Sequence, residues 1–294
     1  MQISVLSHLA SDKKSFYNYL FEEHYLSRRW HIKNAIFQNY PTLQSALKNV
    51  TSEQEKREVI DLFVSDLYGK YGTLLNEIVT RLQERFDQEQ ENIDKAFLAT
   101  MDIDMRSYIM KIVVSMFPSS MFGAENVTLS VAAEILYGRK IPYVGVFLHE
   151  MIHILRNNLM KEACGEDALS PLAREDLKEI VAPVILRDRY FDEISDGRYL
   201  RKANQKLDLL NVSMQWEEYS IVDYFEIIYQ KERKSGGNFL KIFQARVATF
   251  SAIETEILEK HDVYNSLALK VGDNTALLKE LERVWYSSPI VIPH

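Results

Sequence analysis

His149 and His153 stand four residues apart in the stretch Phe147-Leu148-His149-Glu150-Met151-Ile152-His153-Ile154-Leu155, with Glu150 directly after the first. On a helix that spacing puts both imidazoles on one face, a turn apart. Nitrogens so placed can both reach a zinc ion, whose bonds to imidazole are about 2.0–2.1 Å long. Glu150 would project beside the ion rather than ligate it, placed to take a proton from an activated water and deliver it to a leaving amine. The pattern is H-E-x-x-H, and the chemistry it predicts is metal-assisted hydrolysis.

An accidental match on an exposed helix would carry charges around it. Val146, Phe147, Leu148, Met151, Ile152, Ile154 and Leu155 are all uncharged, which predicts a buried helix over 141–163. The bland reading is a pair of satisfied core histidines with a glutamate cap or salt bridge; the intervening Glu150 and the apolar shell favour a metal instead. Glu150-x-x-His153 also spells the E-x-x-H of di-iron bundles, which need a second copy on another helix. The residues three before His8, His24, His31, His261 and His294 are Val5, Phe21, Arg28, Leu258 and Val291, so that reading fails.

Three segments of different texture must position the motif. Residues 1–104 form an N-terminal helical region, with Ser52 and Glu55 spaced as a capping box and a charged stretch at 81–95 read as an exposed helix end. Residues 105–190 form the metal-binding core. There 108–117 is a short β-branched strand, and Val127, Leu129 and Val131 alternate with Thr128 and Ser130 as a second, amphipathic strand of the same sheet. Ser170 followed by Pro171 opens a further helix, Pro171 to Leu186. Residues 191–294 form a C-terminal helical region completing a cleft, broken at Asp196-Gly197, Ser235-Gly236-Gly237 and Gly272.

The stretch from about 108 to 186 resembles the core of a zincin metallopeptidase over roughly a quarter of the chain. Its succession of strand, edge strand, HExxH helix and glutamate-bearing helix is similar to the gluzincin branch. The metzincin extension is absent, since Ile154-Leu155-Arg156 follow His153. The resemblance implies an α+β, predominantly helical fold, one zinc per chain, a third ligand on the following helix and a substrate extended along the strand at 126–132. A catalytic zinc takes three protein ligands and keeps one open position. Glu162 and Glu166 sit too close to the end of the motif helix to fold back. Glu179 lies in the apolar run "LKEIVAPVIL", where a carboxylate must have a partner, and is favoured as ligand; Glu175, beside Arg174 and Asp176, is the alternative. The gluzincin pattern often has an aspartate four residues after the ligand, where this chain has Pro183. An oxyanion-stabilising residue is expected among Tyr190, Tyr219, Tyr224, His261 and Tyr264, without a choice between them.

Composition excludes several other classes. A formal charge of −7 and no dense Lys/Arg run argue against nucleic acid, with "KERK" at 231–234 read as a helix end. Cys164 is the only cysteine and reads as a small, partly buried residue; no run of eighteen apolar residues suggests a membrane span. The first residues lack a basic segment followed by an apolar core, so a cytoplasmic setting is expected. His24 and His31, and the Tyr/Phe richness of 16–40, read as packing. The expectation is a zinc metallopeptidase acting on a peptide or protein, with a non-proteolytic regulatory or interaction protein on a zincin scaffold as the alternative.

Overall fold

Residues 109–115 are rich in β-branched side chains and become the strand around which the first sheet is built. The computed structural model describes residues 1–22, 32–123, 126–165, 168–192, 194–195, 207, 209–214, 217–268, 274–286 and 289–292. His24, His31, Glu166, Asp196-Gly197 and Gly272, singled out above, lie outside them. The chain is mostly helical with two small mixed sheets, and packing divides it into two compact units. One unit is Met1–Glu91 with Arg106–Phe147, the other Asn92–Met105 with Leu148–His294. Texture divides the sequence at 104/105 and 190/191, whereas packing divides it at 91/92, 105/106 and 147/148, the first and last of these within helices.

The first unit opens with β1 (Gln2–Ser7), α1 (Leu9–Phe21), a helix α2 over 32–39, α3 (Pro41–Leu47) and the long α4 (Glu53–Met101). There follow β2 (Ile109–Ser115), β3 (Met121–Phe122), β4 (Asn126–Ser130), α5 (Ala132–Tyr137) and α6 (Tyr143–Ala163). The sheet order is β1-β2-β4-β3, with β1, β2 and β4 parallel and β3 antiparallel. Ile112 and Val114 of β2 and Val127 and Leu129 of β4 are fully buried, so the two expected strands pair as read.

Three expectations are corrected. Residues 2–7, at the start of the N-terminal helical region, are a strand; the partner that makes them one is β2, about a hundred residues away. The charged segment 81–95 does not end a helix. Leu82, Phe86, Ile93 and Phe97 are buried at helical intervals, and α4 runs on to Met101 with its charges on the other face. Finally, β4 is not an edge. β2 lies on one side and β3 on the other, and Gly123 N and Ser130 N close its outer side by donating to Asn126 O and Ser120 Oγ. The edge is the two-residue β3, so no open ladder for an extended peptide remains on 126–130.

The Ser52–Glu55 capping box forms, each backbone N–H donating to the other's side chain. The aromatic residues near 16–40 pack as read, Phe16 meeting Tyr40, Phe63 and Phe117 edge-on at 5.5, 5.9 and 5.3 Å.

The second unit contains most of α6, then α7 (Pro171–Leu186), α8 (Arg189–Asp192), β5 (Asn211–Met214), β6 (Glu217–Ser220), α9 (Ile221–Lys234), α10 (Phe239–Ala252), α11 (Glu254–Ala268), α12 (Asn274–Tyr286) and β7 (Ile290–Val291). β6, β5 and β7 form a sheet inside the region read as helical. Helix α7 packs against α9, α10 and α11. "KERK" does end α9, and its Arg233 pairs with Asp102 at 2.8 Å.

A buried carboxylate ties the first unit together. Asp12, on α1, is 1% exposed and accepts hydrogen bonds from Met116 N (2.8 Å), Tyr68 Oη (3.1 Å) and Ser115 Oγ. Burial nonetheless pushes its pKa from 3.8 up to about 6, the hydrogen bonds offsetting only part of the rise. A folded-state pKa above the unfolded one favours folding fully below about pH 4 and loses that contribution as pH rises through about 6. Relative to Asp12→Asn, the wild type should lose about 2 kcal/mol of stability between about pH 4 and pH 7. Urea unfolding at both pH values measures this, and equal pH dependence in the two proteins would refute it.

Candidate metal centre

Helix α6 is apolar nearly all round, which buries it and carries its two histidines inward. Phe147, Leu148, Met151 and Ile152 are all 0% exposed. Helix α7 starts as the sequence predicts, with Ser170 Oγ accepting from Ala173 N and Pro171 in the first turn. Ser170 N is held in turn by Glu254 Oε1 at 2.9 Å. Pro183 lies inside α7 and has no N–H for the Glu179 carbonyl four residues earlier.

The two helices bring His149, His153 and Glu179 together, with one ligand atom from each within 4.8 Å of the others. This is the one such group among the described residues. His149 Nε2 is 3.6 Å from Glu179 Oε2, and His153 Nε2 is 3.5 Å from Glu179 Oε1. The imidazole rings are 4.3 Å apart and nearly perpendicular, at 81°. His153 is almost fully buried, while His149 and Glu179 keep 22% and 29% of their side-chain surface, leaving one side of the group open.

These separations discriminate between readings. A satisfied His–Glu pair closes to a hydrogen bond of about 2.7–3.2 Å. Two ligands on a tetrahedral zinc with bonds of 2.0–2.2 Å stand about 3.3–3.6 Å apart. The observed separations, each made to a different oxygen of Glu179, fall nearer the second case, and two imidazoles with a carboxylate are a donor set that zinc accepts.

Protonation states fit as well. Burial holds His153 well below the usual histidine range, assisted by the neighbouring His149, so it is the neutral imidazole a metal requires. Burial alone would raise Glu179, but His149, His153 and Lys178 outweigh it and bring its pKa down to about 2.

Glu150 sits on α6 beside His149, partly exposed and outside the ligand group. Glu175 is not gathered with the histidines: its side chain is 60% exposed and binds Lys178 at 2.6 Å. Glu162 is exposed at the end of α6. Among the tyrosines and histidine considered for an oxyanion, His261 pairs with Asp176 in the interior, Tyr219 donates to Glu217, Tyr224 is buried, and Tyr190 is 45% exposed.

Sequence reasoning missed two buried cations near the site, Lys178 and Arg156, each 3% exposed. Lys178 lies in the same apolar run that singled out Glu179, and a buried carboxylate's need for a partner was the available signal. Arg156 follows His153 by three residues, on the same helical face.

No family model matches the chain, and neither a curated protein nor a solved structure matches it.

Elemental analysis of protein loaded with excess zinc should find about one zinc per chain. His153→Ala and Glu179→Ala should lose it, and Glu175→Ala should keep it. Loss on Glu175→Ala with retention on Glu179→Ala would transfer the third ligand to Glu175.

Proposed function

We propose that the chain is a zinc-dependent metallopeptidase. One observation carries the reading: His149 Nε2 and His153 Nε2 converge on the Glu179 carboxylate, 3.6 Å from Oε2 and 3.5 Å from Oε1, with one ligand atom of each residue within 4.8 Å of the others. His149, His153 and Glu179 would hold the zinc. When bound, it supplies Lewis acidity to a peptide carbonyl and to a water.

The chain's own residues supply the proton chemistry. Glu150, next to His149, is the general base that takes a proton from the water and then the acid that gives it to the leaving amine. Leu148, Met151 and Ile152 of the same helix are fully buried, and low-dielectric surroundings strengthen charge interactions. The substrate is a peptide or protein. No helix among the described residues is long and apolar enough to cross a membrane.

Glu150→Gln should retain zinc and fold and lose turnover on a peptide pool by about 10²-fold or more. Undiminished hydrolysis in that variant would remove Glu150 as the base. Stoichiometric zinc with no turnover in the wild type would favour a non-proteolytic protein on the same centre.

A further inference from the structure

Lys178 precedes Glu179 on α7 and is 3% exposed, an uncommon place for an ammonium. Its Nζ lies 2.6 Å from Glu175 Oε2 and 3.6 Å from Glu179 Oε1. The same Glu179 oxygen faces His153 Nε2 at 3.5 Å. One carboxylate oxygen therefore stands between an imidazole of the metal centre and a fixed cation of the protein.

Two effects of that cation act against a bound ion. Like charges repel, the more so where surrounding apolar side chains lower the dielectric. A carboxylate already facing an ammonium is also a weaker donor to a metal, as partners of ligands generally tune affinity. Glu175 works the other way, because its short contact draws the ammonium off Glu179. An orienting role for Lys178 would have the opposite effect on affinity, but the distances argue against it. The contact to Glu175 has hydrogen-bond length and the one to Glu179 does not.

We propose that Lys178 is a resident counter-cation of the metal-ligating carboxylate, that it lowers the affinity of the centre for zinc, and that Glu175 limits how strongly it does so. The proposal rests on the reading of His149, His153 and Glu179 as a metal centre. Its consequence is a carboxylate that keeps a cation 3.6 Å away with or without the ion. Zinc can then be gained and lost while α7 stays packed, so the centre is built for exchange.

The test is zinc affinity of the full chain, measured in competition with a chromophoric chelator. Lys178→Met, which keeps most of the side-chain volume, should bind zinc about tenfold or more tightly than wild type, since a like charge near the ion is removed. Lys178→Arg keeps the charge and should stay near wild type. Glu175→Gln should bind a few-fold more weakly. Changes of opposite sign at two residues one turn apart separate this role from general destabilisation, which would weaken both. Unchanged or weaker binding in Lys178→Met, with wild type binding zinc, overturns the proposal and leaves the metal centre standing. No zinc in wild type overturns both. Should Lys178→Met fail to fold by circular dichroism, Glu175→Gln decides, and unchanged or tighter binding there overturns the proposal.

Discussion

Everything at the candidate centre depends on keeping one carboxylate ionised on a helix that is otherwise core. Leu177, Ile180, Val181, Ala182, Val184, Ile185 and Leu186 of α7 are buried, and the run leaves Glu179 little water to solvate it. A charge in such surroundings persists only with partners. The helix answers this three times over within four residues: Asp176 binds His261, Lys178 binds Glu175, and Glu179 faces His149 and His153. The first two pairs are in direct contact. The third is wider, at 3.5 and 3.6 Å, and it is the one that gathers three potential metal ligands.

The histidine helix imposes a matching constraint. An imidazole buried as deeply as His153 is held neutral, and a neutral imidazole offers a lone pair as readily to a metal as to a proton donor. A core pair satisfied by hydrogen bonds would be a reasonable alternative if the carboxylate had closed on it. Burial of α6 on nearly every side turns His153 fully inward and leaves His149 22% of its side-chain surface. Their perpendicular rings, 4.3 Å apart, converge with Glu179 at the partly exposed side of the group.

What was legible in the sequence is what local chemistry decides. The capping pairs Ser52–Glu55 and Ser170–Ala173, the apolar helix at 143–163 and the β-branched run at 109–115 all announce themselves within a few residues. Glu179 was legible because a lone carboxylate in an apolar run needs an explanation. Elements that owe their existence to distant partners were not. Residues 2–7 are a strand only because β2 accepts them, and 290–291 only because β5 does. The two-residue β3 is too short for any periodicity, yet it takes the edge position expected of 126–132. The acidic and basic residues of 81–95 obscured the buried stripe of Leu82, Phe86 and Ile93, since a long helix can carry many charges on the face away from its core.

The cations that the sequence reading passed over tie the two kinds of ligand together. The positive charges of Lys178 and Arg156 both lower the pKa of His153, and that of Lys178 also lowers the pKa of Glu179. Lys178 thus adds both to the neutrality of an imidazole that burial chiefly sets and to the ionisation of a carboxylate, the states in which each can ligate. The same charges oppose the arrival of a divalent ion. Readiness of the ligands and tightness of the complex are therefore set against each other by the same side chains. Moving Lys178 toward Glu175, as the 2.6 Å contact does, preserves most of the first effect, because Glu179 remains within 3.6 Å, while easing the second. Glu175, which had been a rival for the ligand position, acts on the centre through the lysine it holds.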